Sequence, residues 1–318
     1  MDCSVSCRLG VRETWGRPTS KIAIVRQPNS LLEILMLAQL RDMSRSDTLA
    51  DVQSAISDGL SRDGVVILPP QDVKQTLALV RLLGLRFDTV MLDPWYNKGF
   101  GGTQDDYLPF FLEIIRQSGE VAEHVYFWGF PEIVAPFVER IPKSLELVCW
   151  LTWYYKNNPS VIRGWRSSQN ACLHLSKPGA TLYPERFLNE KQLALKEKGK
   201  LRYMPGPTSV LDDSPTDVIE QALLVGFVGR KEQTGHPSQK PFKVYEPLLQ
   251  MTVSYGGLIL DPMCGSGTAG AVAKERGFRA ILCDGSNEYT KLVEKRLGVK
   301  RLNIAAEIAD LLEDNNNA

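Results

Sequence analysis

Apolar residues along this chain fall into two alternating patterns. Unbroken runs of strand length occur at Val65-Val66-Ile67-Leu68, Thr89-Val90-Met91-Leu92, Val125-Tyr126-Phe127-Trp128, and over 145–152, 257–260 and 280–283. Between them, apolar positions recur at helical spacing over 73–83, 107–117, 131–140, 242–254, 268–276 and 287–297. Strand, helix, strand in that rhythm predicts an α/β fold with a parallel sheet. Upstream, Leu31, Leu32, Ile34, Leu35, Ala38 and then Leu49, Val52, Ile56, Leu60 predict two helices separated by the polar break Ser44-Arg45-Ser46-Asp47. The rhythm fails over about 185–235, where Pro205-Gly206-Pro207 and Asp212-Asp213-Ser214-Pro215 interrupt the chain, so this stretch reads as an insertion into the sheet domain. Residues 1–20 read as poorly ordered, and the polar end Glu313-Asp314-Asn315-Asn316-Asn317 as frayed.

Composition narrows the chemistry. With 318 residues and 43% hydrophobic content, the chain can bury a sizeable core. Lys plus Arg and Asp plus Glu balance at 37 each, so any nucleic-acid binding must come from a local patch. One candidate lies between Trp153 and Arg202, where ten Lys or Arg stand against three Glu, interleaved with Trp153, Tyr154, Tyr155 and Trp165. Asn157, Asn158, Ser167, Ser168 and Gln169 in that stretch are suited to positioning phosphates or reading bases. A solvated surface face is the bland alternative. Six cysteines without CxxC pairs and only three histidines disfavour both a metal site and a disulfide framework, as expected of a reduced, cytoplasmic protein. His124 and His174 read as ordinary strand or core-edge histidines rather than catalytic bases. No apolar run approaches the roughly 20 residues needed to span a bilayer, and the amino terminus lacks a signal-peptide hydrophobic region.

Two short segments carry candidate chemistry. Gly265-Ser266-Gly267-Thr268-Ala269-Gly270 fits GxGxxG between a predicted strand and helix, with Asp284 near the end of the next strand, as in a dinucleotide fingerprint. However, Asp261 just before the turn, at the mouth of the site, would oppose a pyrophosphate at the helix N-terminus. S-adenosylmethionine has no phosphate, carries an ammonium and a sulfonium, and includes a ribose whose hydroxyls suit Asp284. A ligand-free turn and an NAD-dependent oxidoreductase are the alternatives that the glycines alone leave open. The second segment, Asp93-Pro94-Trp95-Tyr96, ends a strand; alone it reads as a strand terminus followed by a turn.

Together the segments resemble a known family. The run HPSQKPFKVYEPLLQMTVSYGGLILDPMCGSGTAGAVA, residues 236–273, is similar to the cofactor half of the amino-methyltransferases that act on DNA, whose pattern is H-P-[ST]-x-K-P, a helix, then D-P-F-x-G-S-G-T. DPWY is similar to their D-P-P-Y. The order is that of the permuted beta class: catalytic segment first, recognition region next, cofactor loop last. The resemblance covers about 62–298. It implies a Rossmann-like methyltransferase fold with a mostly parallel sheet, helices on both faces, circularly permuted motif order and an inserted target-recognition region. The organisation it suggests is a helical amino-terminal extension over 1–61, a methyltransferase domain over 62–303 with the insertion at about 185–235, and a tail over 304–318. The implied activity is site-specific methylation of DNA from S-adenosyl-L-methionine, as in restriction–modification systems. The family often forms homodimers.

Each residue type in the two motifs has a chemical reason. An exocyclic amine is a poor nucleophile because its lone pair is conjugated into the ring. Acceptors against its N–H groups draw the nitrogen toward sp3 character as it attacks. Asp93 offers a side-chain acceptor and Pro94 a carbonyl, while Tyr96 offers a face to a base taken out of the helix stack. Trp95 replaces the family's second proline and either packs behind the loop or joins Tyr96; it could also have ended catalysis, leaving a protein that only binds. The resemblance makes Asp93, Pro94, Trp95 and Tyr96 the catalytic candidates. It makes Asp261, Met263, Cys264, Gly265, Ser266, Gly267, Thr268, Asp284 and Gly285 cofactor candidates. It adds His236, Lys240 and Pro241 at the methionine end, with Lys240 as point-charge partner of the cofactor carboxylate. Asp72 either reaches the cofactor adenine or caps the helix starting at Val73. Aspartate rather than serine at 93 implies adenine N6 as target, with cytosine N4 second. RNA adenosine is a third choice, suggested by the tryptophan in the D-P-P-W of the mRNA-adenosine family.

Overall fold

A computed structural model describes residues 31–98, 102–158, 161–162, 164–201 and 215–316. The expectations for residues 1–20, Pro205-Gly206-Pro207 and Asp212-Asp213-Ser214 lie outside them. The described residues divide into two units, one ending at Ser44 and one beginning at Arg45. In chain order the elements are α1 (Leu31–Asp63), β1 (Val65–Ile67), α2 (Val73–Leu82), β2 (Phe87–Leu92), α3 (Tyr107–Val121), β3 (Ala122–Gly129), α4 (Pro131–Val138) and β4 (Glu146–Tyr154). There follow β5 (Val161–Ile162), β6 (Trp165–Arg166), β7 (Gln169–Ser176), a 3-10 turn (Pro184–Phe187), α5 (Glu190–Glu197) and β8 (Val218–Glu220). The chain closes with α6 (Phe242–Thr252), β9 (Leu258–Asp261), α7 (Thr268–Arg276), β10 (Arg279–Leu282), α8 (Asn287–Leu297) and α9 (Ala305–Asn316).

Eight strands form one sheet in the order β1-β10-β9-β2-β3-β7-β4-β8, and β5 and β6 pair as a separate hairpin. From β1 to β3 every pairing is parallel; β7 runs antiparallel between β3 and β4. Successive side chains of a strand point to opposite faces, and the core divides accordingly. Val66, Leu68, Val90, Leu92 and Phe127 pack with buried residues of α1 to α4 and α9 on one face. Val65, Ile67, Met91, Tyr126 and Trp128 pack with α6, α7 and α8 on the other. The result is the expected α/β sheet, mostly parallel, with helices on both faces.

Three local expectations change. The two upstream helices are one, α1, because the stretch 44–47 holds no glycine or proline, and Ser46 and Asp47 simply face solvent. The end of the chain is helical rather than a tail: Ile304, Ile308 and Leu311 recur at helical spacing and are buried in the first core. Strand β7 is not among the predicted runs, because its stretch Ala171-Cys172-Leu173-His174-Leu175 is interrupted by a histidine that reads equally as a core-edge residue. His174 is nonetheless buried; its Nε2 lies 3.2 Å from Nδ1 of His124 on β3, whose own Nε2 lies 3.0 Å from the Thr181 carbonyl oxygen.

Candidate active site

Strands β2 and β9 lie side by side (Thr89 opposite Ile259, Val90 opposite Leu260), yet β2 pairs onward to β3 and β9 to β10. Such a reversal of strand order opens a crevice at the carboxyl ends of the strands. Asp93 follows β2, Phe130 follows β3, the glycine turn follows β9 and Asp284 follows β10. All of them line one cleft of about 840 Å³, within the range of small-molecule sites. The two distant motifs therefore meet.

On the β2 side, Asp93, Pro94, Trp95 and Tyr96 all contribute to the cleft wall. The Trp95 ring makes edge-on contacts with Tyr107 and Phe111, both at 5.6 Å, and the Tyr107 hydroxyl donates to the Trp95 carbonyl at 2.9 Å. Helix α3 thus anchors the loop from behind, a role that fixed φ would fill were the residue proline. Tyr96 donates its hydroxyl to Asp93 Oδ1 at 3.0 Å and stands edge-on to Phe130 at 4.9 Å. Burial first, and then the Asp93 carboxylate, pushes the Tyr96 phenol well above its ordinary range, so it remains a donor.

Lys240 reaches this loop. Its Nζ lies 2.7 Å from each oxygen of Asp93 and also donates to the Tyr96 hydroxyl. The sequence reading gave it a cofactor carboxylate as partner; in the structure its partner is a carboxylate of the protein itself.

On the β9 side, the turn folds as its glycines require. Gly267 has φ +74°, and a Cβ there would stand 2.8 Å from Val293 Cγ1 on α8. Gly270 lets α7 approach the sheet: a Cβ would meet Leu282 Cδ1 at 2.5 Å. Asp284 ties the turn to β10, accepting from the Gly265 amide at 2.9 Å and from the Ser286 amide at 2.8 Å. Arg296 on α8 clamps the turn from outside, donating to the Ser266 carbonyl at 2.9 Å and to Thr268 Oγ1 at 3.0 Å.

Met263, Cys264, Gly265, Ser266, Thr268, Asp284, His236 and Lys240 are on the cleft wall. Asp261 is not at the mouth: it is 2% exposed and absent from the wall. Burial first, then the nearby Asp93 charge, pushes its carboxyl well above the usual range. It is Asp284, not Asp261, that opposes a pyrophosphate, because it already holds the Gly265 amide that a phosphate would need. Gly267, Pro241 and Gly285 support the wall without lining it, and Pro241 is the N-cap of α6. Asp72 takes the capping role: its side chain accepts from the Gln75 amide at 2.9 Å and the Gln75 side chain accepts from the Asp72 amide, a closed capping box.

Several wall residues escaped the sequence reading. Asn170, Tyr245 and Tyr289 come from β7, α6 and α8 and Phe130 from the junction of β3 and α4, and only the position of Phe130, an aromatic directly after a strand, offered a signal. Tyr289 packs edge-on to His236 at 4.4 Å, and burial lowers the His236 imidazole below its usual range. From the basic stretch, Trp153, Tyr155, Asn158 and Ser167 reach the wall, whereas the described lysines over 191–200 do not. Trp165, 82% exposed, stands on the β5–β6 hairpin just before Ser167. Among the described residues, no group of His, Cys, Asp and Glu is arranged to hold a metal ion, and no helix is long and apolar enough to cross a membrane.

Residues 87–295 match the sequence model of a family described as DNA methylase. Type II methyltransferase M.HpaI of Haemophilus parainfluenzae is 26% identical over 233 residues, covering 69% of this chain and 71% of that protein. DNA adenine methyltransferase YhdJ of Escherichia coli (strain K12) is 36% identical over 78 residues, 24% of this chain and 26% of its own length. Among solved structures, the M1.HpyAVI–SAM complex superposes with a TM-score of 0.55 at 18% identity, covering 74% of this chain and 100% of that one. The PvuII DNA methyltransferase (cytosine-N4-specific) gives 0.53 at 13% identity, over 80% and 96%. At these identities the two structures attest a shared Rossmann-like fold.

Proposed function

The chain belongs to the DNA methylase family of amino-methyltransferases, and on that premise we propose that it transfers the methyl group of S-adenosyl-L-methionine to the N6 amine of adenine at a specific site in DNA. The observation that carries this reading is the single cleft shared by the Asp93 carboxylate and the glycine turn.

The residues of the turn fit that cofactor. The Gly265 amide is held by Asp284, which disfavours a phosphate and leaves a carboxylate facing the cleft for ribose hydroxyls. Aromatic faces at Tyr96, Trp153 and Phe130 suit a sulfonium and a flat base alike. Bound S-adenosyl-L-methionine supplies an electrophilic methyl group, so no covalent enzyme intermediate is required. Asp93 accepts one N–H of the target amine and the Pro94 carbonyl the other, holding the nitrogen as it becomes tetrahedral. Tyr96 and Phe130 replace the stacking that the base loses on leaving the duplex. The buried thiols of Cys172 and Cys264 are pushed well above their ordinary range, first by burial, and are not suited to act as nucleophiles.

Adenine is favoured over cytosine by the aspartate at 93, through the family pattern, and by the similarity to a DNA adenine methyltransferase over part of the chain. The test is transfer of labelled methyl from S-adenosyl-L-methionine to DNA of a methylation-deficient host, followed by nucleoside analysis. N6-methyladenine is expected. N4-methylcytosine would overturn the choice of base, transfer to RNA alone the choice of polymer, and NAD binding without S-adenosyl-L-methionine binding the reading as a whole.

A further inference from the structure

Lys240 stands between the two halves of the site. It is 3% exposed, its carbonyl accepts from the Thr268 hydroxyl at 2.9 Å, and its ammonium lies on Asp93 and Tyr96. An ammonium has three N–H donors, and here all three are used. A carboxylate offers about four acceptor positions. On Asp93, Lys240 takes one at each oxygen, the Tyr96 hydroxyl another at 3.0 Å, and the Tyr245 hydroxyl approaches the last at 3.4 Å. No acceptor is left for an incoming amine.

The surroundings of the ammonium are informative. The rings of Tyr96, Trp128 and Trp153 stand around it with centroids at 5.0, 5.3 and 5.9 Å. A carboxylate and aromatic faces around a tetrahedral cationic nitrogen are the setting that a base amine needs as it attacks a methyl group and gains positive charge.

Resting on the methyl-transfer reading above, we propose that Lys240 is a placeholder: its ammonium stands where the target nitrogen reacts, keeps Asp93 paired while no base is present, and swings out on its flexible stem when a base enters. Leaving a partly buried carboxylate unpaired is costly, which gives the placeholder its purpose. The Thr268 bond fixes the main chain, so only the side chain moves. The competing role is a fixed cation that orients Asp93 throughout the reaction.

The two roles differ in sign. Lys240→Ala leaves room for n-propylammonium, which reproduces the side chain from Cγ to Nζ. At saturating cofactor, with DNA from a methylation-deficient host, the placeholder role predicts that KM for DNA falls about tenfold in the variant, since one charge-assisted pairing no longer has to be displaced. Added n-propylammonium then raises KM again, competitively with DNA. A KM that is unchanged or higher, or a lost turnover that n-propylammonium restores, overturns the proposal. Lys240→Met, which keeps the stem without the charge, is measured in parallel and decides by the same fall in KM if the alanine variant does not fold. Equilibrium binding of a single-stranded oligonucleotide carries the same sign without turnover. Wild-type protein that binds it but transfers no methyl therefore defeats the methyl-transfer reading alone, and protein that does neither overturns both.

Discussion

Asp93 and Asp284 are two carboxylates at the ends of two strands of one sheet, and their neighbours divide their roles. Asp93 faces an ammonium and two phenols, so its substitution has two consequences. Asp93→Asn keeps the shape, and transfer is expected to fall at least about a thousandfold, with S-adenosyl-L-methionine affinity by equilibrium dialysis changing little. Asp93→Ala loses transfer too, and also leaves the buried Lys240 charge without its partner, so its unfolding midpoint falls below that of the asparagine variant. Asp284 holds backbone amides of the turn. For Asp284→Ala the KM for S-adenosyl-L-methionine is expected to rise by roughly ten- to a hundredfold, while turnover at saturating cofactor is nearly kept; equal losses in both would place Asp284 in the chemical step instead. At this scale the two motifs were readable in the sequence because each binds a local turn to a strand end. The partner of Lys240 was not, because a flexible four-carbon stem leaves the direction of its charge to tertiary packing. Asp261 likewise looks exposed beside a loop, and only the side of the strand it occupies buries it.

At the level of elements, β7 shows where patterning is weakest. Its histidine looked polar, yet the β3–β7 pairing buries it against His124 and stacks it on Tyr126 at 4.5 Å. Burial first, then His124, pushes the His174 imidazole from its ordinary 6.5 down to about 3. Between those values the unfolded chain binds a proton that the folded protein excludes, so stability falls as pH drops through that window, by at most about 1.4 kcal/mol per pH unit. The raised Asp261 carboxyl acts with the opposite sign, since the folded protein keeps a proton there as pH rises. Comparison with His174→Gln isolates the histidine: from pH 7 to 4.5 the urea midpoint of the wild type is expected to fall more steeply than that of the variant. Parallel profiles would show that His174 titrates freely. The chain end offers a second check. Leu311 is 1% exposed on α9, and Leu311→Ala should cost about 2–5 kcal/mol of unfolding free energy, whereas a frayed tail would cost nothing measurable. That helix was legible in its apolar spacing but masked by the polar residues that follow.

For the whole molecule, the alternation of runs and stripes gave the parallel part of the sheet; β7 and β8 escaped it, and the helices on both faces and the order of the motifs came from the family resemblance. The composition of the stretch 153–202 was less informative: it placed aromatic and amide side chains at the cleft, but its described lysines stand elsewhere. Charge balance over the chain says how much attraction is available, and only folding says where it is aimed.

The neighbouring position of β2 and β9 has a consequence for synthesis. Val90 lies opposite Leu260, so a ribosome must deliver the chain at least as far as Leu260 before the strand bearing the carboxylate gains the neighbour that completes its crevice. Pairings so distant along the chain form late. A nascent chain still lacking β9 and β10 carries a DPWY loop with nothing to act on, and competence waits until residues 258–282 have been made.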